Sequence, residues 1–199
     1  MTKRGALPGA PTSPAKLFVV SAPSGCGKTT LCNRLLKDGL DLAGSVSMTT
    51  RAPRPGEKNG VDYLFVTGKK FRSMIQNGGF LEYEENFGNL YGTPKKFIED
   101  NFKKGKSVLL SIDVKGAMKV RRAFPAQSVL IFLIPPSITA LKKRLQSRRS
   151  DAPEVIARRL GFAKKELAYK RRYDYRIVND DLERAYRRLK KIVAGQMSV

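Results

Sequence analysis

Histidine is absent from this sequence of 199 residues, and so is tryptophan. Without imidazole there can be no His-ligated metal, no Ser-His relay and no side chain that titrates near neutrality unless its surroundings shift it. Chemistry is left to Lys, Arg, carboxylates and a metal ion. Cysteine is nearly absent too: Cys26 lies in a Gly-rich turn and Cys32 on the helical pattern behind it. A structural disulfide is therefore not expected, and a reducing, cytoplasmic setting is. No apolar run approaches the ~20 residues that span a bilayer, and Met1 to Lys16 lacks the apolar segment of a signal peptide, so no membrane partner is expected. Acidic residues are scarce, 17 against 39 Lys and Arg, for a formal net charge of +22. That imbalance suits an anionic substrate, nucleic acid, or simply solvated basic helix faces.

What is present is concentrated first at residues 17–35. The apolar run Leu17-Phe18-Val19-Val20 leads into Ala22-Pro23-Ser24-Gly25-Cys26-Gly27-Lys28-Thr29-Thr30, and Leu31, Arg34 and Leu35 then fall at helical spacing. A strand that delivers the chain to a Gly-rich turn at a helix N-terminus is a phosphate-binding loop, because free backbone N–H groups and the helix dipole both face the anion. Lys28 would reach the terminal phosphates and Thr29 would hold Mg²⁺. Ala22 stands where a first glycine is usual, which matters only if that residue needs a positive φ. Cys26, beside Lys28 among N–H groups, is expected to carry a lowered thiol pKa and raised reactivity.

Strands are predicted at 17–21, 45–50, 107–113, 128–134 and 175–179, and helices at 28–37, 94–104, 114–124, 137–148, 154–172 and 181–194. Continuous apolar strands such as Val129-Leu130-Ile131-Phe132-Leu133-Ile134 imply burial on both faces, as in a parallel sheet covered by helices. Between residues 51 and 93 the texture changes to short alternating pieces around Tyr63-Leu64-Phe65-Val66 and Phe80-Leu81-Glu82-Tyr83, with a short helix near Lys69 to Gln76. The expected fold is α/β: a core of residues 17–50 and 94–199, an inserted mainly antiparallel lobe at 51–93, and a disordered leader at 1–16.

The second informative stretch runs from Ser45 through Met48-Thr49-Thr50-Arg51-Ala52-Pro53-Arg54 to Glu57. Two arginines held apart by a rigid Ala-Pro element can grip one compact polyanion from two sides. Together with Asp62-Tyr63, Phe80-Leu81-Glu82, Gly88-Asn89-Leu90-Tyr91-Gly92-Thr93, Leu110-Ser111-Ile112-Asp113 and Ile177-Val178-Asn179-Asp180-Asp181, it makes the chain resemble the guanylate kinases from about residue 17 to 195.

That resemblance implies an Mg²⁺-dependent phosphotransferase that moves the γ-phosphoryl group of ATP to GMP. It assigns Arg51, Arg54, Tyr63 and Tyr91 to the GMP phosphate and Ser47, Glu82 and Thr93 to guanine. A carboxylate suits guanine, whose N1–H and N2–H₂ stand side by side, whereas adenine has no N1–H; hydroxyls can donate to O6. Residues 22–30 and Asn179 would hold ATP, and Arg144, Arg148 and Arg159 would bracket a lid at 145–157. Arg149 stands where the family usually has glycine. Lys28 with Arg51 and the lid arginines would supply the catalytic charge, and Thr29 with Asp113 the metal contacts, Asp113 lying also beside the acceptor. The family usually shows two aspartates on that strand; here Ser111 replaces one. The nucleotides are the expected partners of a monomer or homodimer, and any nucleic-acid affinity is expected to be non-specific. Two other classes share these features: a non-catalytic guanylate-kinase-like binding module, disfavoured by the intact Lys28-Thr29 pair, and a nucleic-acid-associated NTPase, favoured by charge alone.

Overall fold

In the computed structural model the described residues are 14–147 and 152–198. The first strand, β1 (Leu17–Ser21), has no exposed residue. Alternation explains why a run of apolar side chains suits it: successive side chains point to opposite faces, and here both faces are covered. Phe18 and Val20 join one core cluster, Leu17 and Val19 the other. The remaining strands of this sheet are β2 (Leu42–Gly44), β7 (Ser107–Ser111), β8 (Ser128–Ile134) and β9 (Tyr175–Val178), in the order β2-β7-β1-β8-β9, all pairings being parallel.

Parallel neighbours require crossovers, and helices supply them. α1 (Lys28–Leu36), α5 (Ile138–Gln146), α6 (Pro153–Leu167) and α7 (Leu182–Met197) bury Leu31, Leu35, Leu141, Leu145, Ile156, Leu189 and Val193 against the Phe18 face. α3 (Lys95–Lys103) and α4 (Val114–Ala123) bury Ile98, Ala117 and Val120 against the Leu17 face. The helix starts follow local capping chemistry: Ser137 Oγ accepts from Ala140 N, Asp181 from Arg184 N, and Asp113 from both Lys115 N and Gly116 N. Pro153 sits at the first turn of α6.

A second sheet of four strands has the order β4-β3-β6-β5, from β3 (Met48–Thr49), β4 (Leu64–Phe65), β5 (Phe80–Asn86) and β6 (Asn89–Pro94), with α2 (Gly68–Gln76) between β4 and β5. Two of its three pairings are antiparallel. Phe71 of α2 is fully buried and stacks on Phe80, with ring centroids 4.4 Å apart.

The parallel core and the mainly antiparallel insertion agree with expectation, and three assignments differ. The strand expected at 45–50 shortens to β3 and pairs within the second sheet, while the unpredicted β2 fills the core edge. The helix expected to reach residue 172 ends at Leu167 and continues as a 3₁₀ turn over Ala168–Arg172. The strand expected to reach residue 113 stops at Ser111, because Asp113 leaves the ladder to cap α4. The leader at 1–16 lies outside the described residues except for 14–16, as do 148–151 of the expected lid.

Candidate active site

β1 delivers the chain to the loop 22–30, which lines a cleft of about 620 Å³. Gly25 and Gly27 take φ of 91° and 79°, the left-handed region that a β-carbon disfavours. Space closes the same door at Gly27, where a Cβ would stand 2.7 Å from the Asn179 amide nitrogen. That amide donates to Cys26 O at 2.7 Å, and the Asn179 carbonyl accepts from Arg144 Nη2 at 2.9 Å. Asn179 thus ties the strand β9 end to the loop, and Arg144 ties α5 to Asn179. Lys28 Nζ donates to Ile112 O at 3.0 Å. Ala22 is not among the positive-φ residues, so the missing glycine costs nothing. Cys26 overturns its expectation: it is 1 % exposed, and burial pushes its thiol up to about 12 against the opposing charges of Arg144 and Lys28. An N–H-rich setting lowers a thiol pKa only where the thiolate stays solvated.

The opposite wall belongs to the second sheet. Ser47, Arg54, Tyr63, Glu82 and Tyr91 line the cleft. Arg51 is held by Glu57 through two bonds of 2.9 Å to its Nη2, donates from Nη1 to Ala52 O at 2.7 Å, and lies 5.3 Å over the Tyr63 ring. Glu57 also accepts from Arg54 N at 2.7 Å, and these bonds carry its carboxyl below the usual range despite burial. Glu82 is 6 % exposed and accepts from Thr93 Oγ1 at 2.5 Å. Burial pushes its carboxyl up to about 7, the Asp113 charge adding to the shift and the Thr93 bond resisting it. Thr93 is itself fully buried and spends its hydroxyl on Glu82, so it orients the carboxylate that was expected to share guanine with it. Gly116 of α4 makes room: a Cβ there would meet Glu82 Oε2 at 2.5 Å.

Between the walls stand Ser111, Asp113, Arg159 and Glu166. Asp113 Oδ1 is committed to the α4 cap, and Oδ2 accepts from Asn86 Nδ2 at 2.6 Å. Ser111 lies beside the buried Cys32. Arg159 reaches the cleft from α6, and Arg148 lies outside the described residues. Among the described residues no group of three acidic or cysteine side chains could hold a metal unaided. The oxygen donors of Thr29, Ser111 and Asp113 facing one cleft nevertheless fit Mg²⁺, which usually takes one or two protein ligands and completes its shell with substrate phosphates and water.

The profile of the guanylate kinase family matches residues 14–196. The chain belongs to the guanylate kinase family. It is 46% identical over 185 residues to a guanylate kinase of Nitrosospira multiformis, covering 93% of this chain and 88% of that one. With a guanylate kinase of Caulobacter vibrioides the identity is 51% over 170 residues, 85% of this chain and 80% of the relative. The crystal structure of guanylate kinase from Anaplasma phagocytophilum superposes with a TM-score of 0.81 at 39% identity, over 94% of this chain and 88% of that chain.

Within this guanylate kinase fold, sequence reasoning missed Glu57, Asn86, Gly116 and Glu166. Glu166 is the most unexpected. In the run Lys164-Lys165-Glu166 it reads as a solvated charge, yet it lines the cleft, and burial pushes its carboxyl up to about 7 against the attraction of Lys28. The available signal was spacing: Arg159, Phe162 and Glu166 recur at helical period on one face of α6.

Proposed function

We propose that this cleft carries the reaction of its family, transfer of the γ-phosphoryl group of ATP to GMP giving ADP and GDP, with residues 22–30 holding the donor and the lobe at 51–93 holding the acceptor. The observation that carries the assignment is that the Gly-rich loop with Lys28 and the buried Glu82 face each other across one cleft. Arg51, Arg54, Tyr63 and Tyr91 hold the GMP phosphate. Glu82 accepts from guanine N1–H and N2–H₂, and Ser47 donates to O6. The acceptor phosphate has a second pKa near 6 and is already mostly ionised at neutral pH, so no general base is needed. Its oxygen attacks Pγ while the bridging oxygen leaves with ADP. Lys28, which donates to Ile112 O in the free protein, would turn to the transferring group, and Arg144, Arg148 and Arg159 would spread charge over it. Thr29 and Asp113 would hold Mg²⁺ together with the phosphates, and the ion when bound would supply positive charge against that of the donor.

We further read the core as residues 17–50 and 94–199 apart from β3 and the end of β6, which belong to the lobe's sheet, with a lid at 145–157, and the setting as cytoplasmic, since both cysteines are free. Any affinity for nucleic acid from the charge of +22 would be sequence-independent and salt-sensitive. The deciding experiment is ADP release with GMP, AMP, CMP and UMP in turn. GMP should be the strongly preferred acceptor, and Lys28→Met should keep under a tenth of the rate, a loss above ~1.4 kcal/mol of transition-state stabilisation. Comparable rates with AMP, or a fully active Lys28→Met, would overturn the assignments.

A further inference from the structure

The hairpin joining β5 to β6 turns on two residues, Phe87 and Gly88, with φ of 53° and 76° and the strands paired at Asn86 and Asn89. Two-residue turns of this hand normally take Asn, Asp or Gly at both central positions, because the left-handed region crowds a β-carbon. Phe87 is the only residue other than glycine with positive φ among those described. A bulky ring in a strained turn calls for something outside the turn that keeps it there.

That something is across the cleft. The Phe87 ring meets Phe162 of α6 edge to face, with centroids 4.8 Å apart, and Arg158 lies 5.6 Å over the Phe87 ring. Phe87 and Phe162 are 50% and 45% exposed, so the pair covers the rim rather than filling a core. Both line the cleft, and the neighbouring Asn86 is the residue bonded to Asp113. Phe162 lies between Arg159 and Glu166 on the face of α6 that lines the cleft.

We propose that Phe87 and Phe162 are positioning residues for GMP: an aromatic clasp that holds the tip of the acceptor lobe against the helix carrying Arg159, its ring contact offsetting the strain of the turn and favouring a closed cleft. This rests on the assignment of the lobe to GMP. Closure removes water from between two polyanions and fixes their geometry, and a contact that favours the closed form appears in the affinity for the nucleotide that needs it. Aromatic pairs of this geometry correspond to about two- to tenfold in an equilibrium constant.

The test is a double-mutant cycle on the full chain with Phe87→Asn, Phe162→Ala and the pair, reading KM for GMP, its Kd by calorimetry, kcat and the melting temperature. Each single substitution should raise KM and Kd for GMP about three- to tenfold with kcat within about twofold. The double variant should be no worse than the singles, and Phe87→Tyr should behave as wild type. Asn suits the left-handed position, so Phe87→Asn should melt no lower than wild type. Unchanged KM in either single variant, effects that multiply in the double, or a lowered melting temperature of Phe87→Asn would each overturn the clasp. A wild-type chain that binds no GMP would overturn the assignment of the lobe and the clasp with it; normal wild-type binding with independent effects overturns the clasp alone.

Discussion

On the role proposed for Glu82, a carboxylate that must be ionised to read guanine is buried where ionisation is costly. Glu82, raised to about 7 chiefly by burial, is largely protonated at pH 6, and on that proposal GMP would bind productively only after the proton leaves. The kcat/KM for GMP should therefore fall nearly tenfold per unit as pH drops below about 7, with a proton released on binding that calorimetry in two buffers can count. GMP loses its own phosphate charge near pH 6, so the comparison is with Glu82→Gln, which should keep that limb and lose the one near 7. An identical profile in the variant would place the titrating group elsewhere. The loop at 22–30 and the arginine pair stand out in the sequence because their chemistry is contiguous in the chain, whereas Glu82 was singled out only through the family resemblance. Gly116 and Glu166 were not legible, because each acts only through a residue distant in sequence: Gly116 by yielding space to Glu82, Glu166 by facing Lys28; Glu57, six residues from the Arg51 it holds, shows its part only once the loop between them is folded. Cys26 was misread for the same reason, since neighbours in sequence say nothing about the burial that silences a thiol.

At the level of elements, the α4 N-terminus is where core and lobe meet. One carboxylate, Asp113, caps the helix and receives Asn86 from the lobe hairpin, while Lys119 further along α4 pairs with Glu84 of β5 at 2.7 Å and donates to Tyr83 O at 2.6 Å. Asp113→Ala should cost about 1–2 kcal/mol in urea unfolding, through the cap and a bond to a charged acceptor. Asp113→Asn, which still accepts at Oδ1, should recover most of it; equal loss in both variants would show that charge rather than capping matters. The long elements were readable from periodicity and apolar runs. The short ones failed where propensity is weak: Leu42-Ala43-Gly44 carries little strand signal and becomes a strand only because β7 offers it an edge.

For the molecule as a whole, one buried and one half-buried acid set an unusual dependence on pH. Glu82 and Glu166 are both raised from 4.5 to about 7, so the folded state holds their protons more tightly than the unfolded chain. Their stabilising contribution is complete below about 4.5 and is lost as pH rises through 7. Asp38, Glu57, Asp180 and Glu183, lowered through their hydrogen bonds, act in the opposite sense and at lower pH. Self-repulsion in so basic a chain also varies with pH, so the useful quantity is a difference. The melting temperature of Glu166→Gln should gain on that of wild type as pH rises from 5 to 8, since glutamine has no proton to lose. A constant difference across that range would mean Glu166 is solvated.

The order of strands also fixes an order of assembly. β1 pairs only with β7 and β8, so Leu17–Val20 has no strand partner until the chain has been made beyond residue 107. The second sheet draws all its strands from residues 48–94 and can form while β1 still waits. Long-range parallel pairing is slow, and an unpaired apolar strand is prone to aggregate meanwhile. A chain still on the ribosome thus has a route to its second sheet before it can build the sheet that leads into the loop at 22–30, and β1 is the segment for which a chaperone would be needed in the interval.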